Sequence, residues 1–191
     1  MRTELNDEQL MLKYAKGDVS AFELLYFKHK GGLFRYCLRQ FSSRAIAEEC
    51  FQEIWLKVIN NRVKYQPKAL FTTYLYRIAQ NHIIDVFRKE KKRLADCEYE
   101  DANLEQSIYL MSDVEKQNNQ AMVVELRKQI SQLPFEQRNT LLLKLDAGLS
   151  LDEISHILDC GKETVKSRLR YATSKLKDLL TEPSGAQKNE R

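Results

Sequence analysis

Apolar residues return every three or four positions along most of this chain, and no stretch alternates apolar with polar long enough to make a strand. The periodic runs predict helices at about residues 7–16, 18–41, 43–60, 70–93, 118–132, 135–147, 150–158 and 162–180. Pro67 falls between two of them. Pro134 sits at the first turn of another, where its missing N–H costs little. An all-α fold follows.

The sharpest local pattern is SLDEISHILDCGKETVKSRLRYATSKLKDLL, from Ser150 to Leu180. Gly148 can close the preceding helix in a left-handed conformation, and Ser150 with Glu153 three residues on makes a capping box. The first helix carries Leu151, Ile154, Ile157 and Leu158 on one face, and Asp159-Cys160-Gly161 breaks it. In the second, Val165, Leu169, Ala172, Leu176 and Leu179 form one apolar stripe. The other faces hold Lys162, Glu163, Lys166, Ser167, Arg168, Arg170 and Tyr171. Between Lys162 and Lys177 six basic residues face one acid. Charge alone suits a solvated amphipathic helix as well as one lying on DNA. Capping, turn and placement together favour a DNA-binding helix-turn-helix.

Charge distribution divides the chain more clearly than its net value of +4. Residues 61–95 carry nine basic groups against two acidic, whereas residues 96–118 carry one against seven. The acidic stretch has no long apolar stripe, so residues 96–117 read as a flexible linker between two small helical domains, 5–95 and 118–181. Residues 182–191 read as a disordered tail. The four cysteines, Cys37, Cys50, Cys97 and Cys160, are too scattered for a zinc or redox motif and suit a reducing cytoplasm. No leader or membrane-spanning run is evident. His29, His82 and His156 have no evident metal partners, and the carboxylates converge on no nucleophile, so neither a catalytic residue nor a cofactor is expected.

The segment LFTTYLYRIAQNHIIDVFRKEKKR, Leu70 to Arg93, carries two stripes. Phe71, Leu75, Ile78, His82 or Ile83, and Val86 suit a core; Tyr74, Arg77, Asn81, Asp85 and Arg88 share another face. Guanidinium groups neutralise phosphates, an amide can read a base edge, and an aromatic ring stacks on an unpaired base. A surface helix with a basic end fits the same residues.

Three motifs in order carry a specific resemblance: AEECFQEIWLKVI, FTTYLYRIAQNHIIDVFRKEKKR and QISQLPFEQRNTLLLKLDAGLSLDEISHILDCGKETVKSRL. Over nearly its whole length the chain resembles bacterial sigma factors of the extracytoplasmic-function group, which join a region-two domain to a region-four domain by a variable linker. The resemblance implies that Glu48, Glu49, Gln52 and Glu53 meet the coiled coil of the largest polymerase subunit. It implies that the loop Asn61 to Thr72 and the following helix read the minus-ten element, through Tyr65, Phe71, Tyr74, Arg77, Asn81 and Arg88, with Phe71 also readable as plain core. It assigns Lys162, Glu163, Thr164, Lys166, Ser167, Arg168 and Arg170 to the minus-thirty-five element. Implied partners are core RNA polymerase, promoter DNA and an anti-sigma factor, with no small-molecule substrate. The alternative is a helix-turn-helix regulator that acts on DNA without joining polymerase.

Overall fold

Several helix boundaries follow from side chains that satisfy the first free N–H groups. In the computed structural model, which describes residues 5–41, 43–96 and 120–181, Asn6 accepts from Gln9 N at 2.8 Å and Gln9 Oε1 accepts from Asn6 N at 3.1 Å. That reciprocal box opens α1, Asp7–Ala15. Gly17, at φ +102°, turns the chain, and Asp18 caps α2, Val19–Gln40. Ser43 caps α3, Arg44–Asn60. A single 3-10 turn, Arg62–Lys64, precedes α4, Phe71–Asp96. The chain continues in α5, Gln120–Ser131; α6, Phe135–Leu145; α7, Leu151–Leu158; and α8, Lys162–Thr181. Among the described residues there is no strand, and no helix is long and apolar enough to cross a membrane.

In the N-terminal half, α1 to α4, the core is built from Met11, Leu25, Leu33, Ile54, Val58, Phe71, Leu75 and Ile83, all fully enclosed. Trp55 lies among aromatic rings, 5.1 Å from Tyr26 and 5.7 Å from Phe22. In the C-terminal half, Leu142, Leu143, Leu149, Ile154, Val165 and Ala172 close around the helix-turn-helix. The expected linker, after Asp96, and the expected tail lie outside the described residues, as do Cys97 and the side chain of Leu179.

The halves also pack on each other, through polar contacts as well as apolar ones. Tyr36 donates from its hydroxyl to Asn139 Oδ1 at 2.6 Å, Gln40 Nε2 donates to the same oxygen at 3.0 Å, and Asn139 Nδ2 donates to Gln80 Oε1 at 2.7 Å. All four side chains are buried. Arg39 Nη1 meets Asp146 Oδ1 at 2.9 Å, Thr73 donates to Glu153 at 2.9 Å, and Phe87 meets Phe135 edge-on at 5.3 Å.

Candidate nucleic-acid interface

Helix α4 turns its two stripes in opposite directions. Leu75, Ala79 and Ile83 face the core, while Arg77, Asn81, Asp85 and Arg88 are exposed and Tyr74 is half-buried. A carboxylate from another helix meets the α4 N-terminus: Glu8 accepts from Phe71 N at 2.6 Å, where negative charge is favoured. Tyr65 and Tyr74 meet edge-on at 5.0 Å beneath the exposed loop that holds Val63 and Leu70.

Two of the expected base-contacting residues sit deeper than expected. Phe71 is wholly enclosed, 5.3 Å from the His29 ring and 6.4 Å from Tyr65, so it offers no surface to a base and belongs to the core. The cause is the docking of α1 and α2 over the start of α4. Tyr65 is also buried, and its hydroxyl has no hydrogen-bond partner among the described residues. Burial pushes that phenol up to about 12, and raises Tyr74 as well. The ring that can meet a base is therefore Tyr74, with Arg77, Asn81 and Arg88 one, two and four helical turns along the same face.

The second surface is the outer side of α8. Gly148 adopts φ +67°, Ser150 and Glu153 make both bonds of the capping box, and the left-handed residue that ends α7 is Asp159, at φ 48°, rather than Gly161. This turn starts α8 at Lys162, with Val165, Ala172 and Leu176 inward. Lys162, Glu163, Thr164, Lys166 and Arg170 are exposed, and Ser167 and Arg168 are half-buried. Lys162 pairs with Asp152 at 2.8 Å and Lys166 with Glu163 at 2.6 Å. Such exposed pairs contribute at most about 1 kcal/mol, so phosphate can displace them. Arg168 meets Glu136 of α6 at 2.7 Å, and so also ties α8 to its own half. The Arg170 guanidinium stacks 5.3 Å over Tyr171.

A third surface lies on α3. Cys50, Ile54 and Val58 point inward, leaving Glu49, Gln52 and Glu53 exposed and Glu48 paired with Arg44 at 2.7 Å. Beside these polar groups runs an apolar groove lined by Tyr26, Phe51, Trp55, Leu56 and Ile59. Leu24 and Phe27 of α2 are exposed as well, at 59% and 63%. The reading of α3 by its acids passed over this groove. Its signal was the four-residue spacing of Phe51, Trp55 and Ile59, a second apolar stripe on one helix. Among the described residues, no cluster of three or more His, Cys, Asp or Glu side chains could hold a metal ion.

These surfaces coincide with two family matches: sigma-70 region 2 over residues 25–93 and sigma-70 region 4 over residues 130–178. The chain is similar to the RNA polymerase sigma-H factor of Pseudomonas aeruginosa, with 30% identity over 88% of this chain and 91% of that one. It is also similar to the extracytoplasmic-function sigma factor SigW of Bacillus subtilis, with 30% identity over 86% and 91% of the two chains. Among solved structures, it superposes on CnrH in complex with the cytosolic domain of CnrY, with a TM-score of 0.69, 18% identity and coverage of 93% of this chain and 99% of that one. The sigma factor RpoE of Bartonella quintana, in complex with the anti-sigma factor NepR, gives a TM-score of 0.70 at 19% identity, over 85% and 98%.

Proposed function

The chain belongs to the sigma-70 family, extracytoplasmic-function group, and from that premise we propose how its three surfaces serve promoter-specific initiation by core RNA polymerase. It acts as an initiation factor in the cytoplasm and carries no reaction of its own. The observation that carries the reading of sites is the outward face of α4, where an aromatic ring, an amide and guanidinium groups share one side of a helix inside the region-2 match.

Extruding a base costs a few kcal/mol, and stacking on an aromatic ring returns about 1 to 3 kcal/mol per base. Tyr74 supplies the ring, Asn81 a hydrogen-bonding edge, and Arg77 and Arg88 the phosphate contacts that hold the single strand in place. Tyr65 and Phe71 brace Tyr74 from behind. On α8, Glu163, Lys166, Ser167 and Arg170 face the major groove of the minus-thirty-five element, where one bidentate base contact is worth about 1 to 3 kcal/mol. Lys162, Thr164 and Arg168 position the helix on phosphates. On α3, Glu48, Glu49, Gln52 and Glu53 meet basic residues of the polymerase coiled coil, and the groove at Trp55 and Leu56 takes apolar side chains beside them. An anti-sigma factor is the expected regulator, as in the complex of the similar sigma factor RpoE with the anti-sigma factor NepR.

The test is run-off transcription with purified core polymerase on a pool of genomic fragments, followed by sequencing of transcript starts. Discrete starts sharing two spaced upstream elements are expected. Binding to duplex DNA without binding to core polymerase would replace this reading with that of a regulator acting alone.

A further inference from the structure

Helix α1 precedes the region-2 match, which begins at residue 25, and carries none of the residues expected to read DNA. Its contacts nevertheless converge on the loop between α3 and α4. Gln66 to Leu70 of that loop are exposed and joined to one another by a bond from Lys68 N to Gln66 O at 2.8 Å. A segment with so little bonding of its own takes its shape from whatever holds its ends.

Both ends are held by α1. At the start of the loop the Arg62 guanidinium stands 5.7 Å over the Tyr14 ring. At its finish Glu8 Oε1 accepts from Phe71 N at 2.6 Å, across 63 residues of sequence. That bond caps α4 from outside: Leu70, whose carbonyl accepts the first helical bond from Tyr74 N at 3.1 Å, has no side-chain oxygen to offer. Beside Glu8, Asp7 binds Lys28 at 2.7 Å and His29 at 2.8 Å, and the His29 ring lies 5.3 Å from that of Phe71. Asp7 thereby holds α1 on α2 with Glu8 aimed at α4. Without Glu8 the first turn of α4 keeps an unanswered N–H and frays, and Tyr74 is the residue that closes that turn.

We propose that Glu8 is a positioning residue for minus-ten recognition: by capping α4 from outside the region-2 match, it fixes the turn from which Tyr74 meets the extruded base. The inference rests on the role of Tyr74 proposed above. Glu8 touches no DNA in this role and acts through Phe71 N, as a supporting side chain that keeps a contacting one in register.

Variants of the full chain, assembled with core polymerase, test it. Glu8→Ala removes the acceptor, Glu8→Gln keeps an acceptor oxygen without the charge, and Tyr74→Ala is made alone and together with Glu8→Ala. Promoter opening is read by permanganate footprinting at saturating concentrations of each form, so that fewer folded or bound molecules cannot imitate misplacement. Should Glu8→Ala lose helicity by circular dichroism, Glu8→Met, which keeps the side-chain stem, takes its place. The expected result is opening reduced by about fivefold in Glu8→Ala, the ratio typical of a lost cap, largely restored in Glu8→Gln, with core binding unchanged. Added to Tyr74→Ala, the loss of Glu8 should change little, because the cap acts through that ring; independent effects would multiply. Multiplied losses, unchanged opening in Glu8→Ala, or a Glu8→Gln as impaired as Glu8→Ala would each overturn the role of Glu8 alone. A wild type that opens no promoter would remove the initiation role, and the role of Glu8 with it.

Discussion

Phe71 and Tyr74 lie 6.1 Å apart, yet they divide the labour of the loop after α3. Phe71 has no exposed surface, so Phe71→Ala should cost about 3 to 5 kcal/mol of stability, seen as a large fall in melting temperature. Tyr74→Ala should lower melting temperature far less, while a permanganate footprint shows promoter opening reduced by at least about fivefold, the equivalent of about 1 kcal/mol of lost stacking. From the sequence both aromatics read as candidates for base contact, because nothing in the periodicity of α4 says that α1 and α2 cover its first turn. The helices that cover it carry a pH response. Burial lowers the pKa of His29, against the pull of Asp7, so its neutral ring donates from Nε2 to Asp7 at 2.8 Å. Burial would raise the Asp7 carboxyl, but hydrogen bonds from Lys28 and His29 outweigh it and hold the group below 3.8. For His29 the unfolded chain binds the proton more readily, so stability is lost as pH falls below about 6.5. For Asp7 it is lost as pH falls from 3.8 through the lowered value. Protection factors of α1 amides, taken against the intrinsic exchange rate at each pH, should therefore fall between pH 7 and 5 by more than those of a control helix such as α6.

At the scale of elements, the capped turns do most of the positioning. Gly148 holds φ +67°, and an alanine there would meet no neighbouring atom, so Gly148→Ala isolates backbone strain from crowding. The expected loss is about 1 to 2 kcal/mol, measured by urea unfolding, with weaker binding to minus-thirty-five DNA because α7 no longer sets the entry of α8. This region was legible in advance because Ser150, Glu153 and Gly148 act through local hydrogen bonds and dihedral preferences, which need no tertiary knowledge. The left-handed residue itself was not: Gly161 is the freer residue in the turn, but Asp159 takes φ 48°, two positions earlier. The 3-10 turn at Arg62–Lys64 was also invisible, since three residues cannot display a period. The α3 groove escaped because acids on the same helix drew attention away from Phe51, Trp55 and Ile59.

For the molecule as a whole, positive charge is spread over surfaces in both halves, and each exposed arginine or lysine that meets a phosphate adds to the salt dependence of promoter binding. In polymerase-bound form, Arg77→Ala and Lys162→Ala should each reduce the slope of log affinity against log salt, by about 0.7 where the phosphate lies on a single strand and about 0.9 where it lies on duplex. The double variant should show the sum, because the two sites share no partner. Filter binding between low and moderate salt would check both values. A division into two helical halves can be proposed from the shift between basic and acidic stretches. Their mutual packing cannot, because Gln40, Gln80 and Asn139 read as surface residues until a partner for each is known. That partner always lies far along the chain: Asn139 is 103 residues from Tyr36 and 59 from Gln80. The consequence is a limit on modular engineering. A hybrid that grafts α5 to α8 from a relative, in order to borrow its promoter preference, also exchanges the residue that must answer Tyr36, Gln40 and Gln80. Cassettes of this kind are interchangeable only if position 139 stays asparagine, or if the opposing amides are rewritten with it.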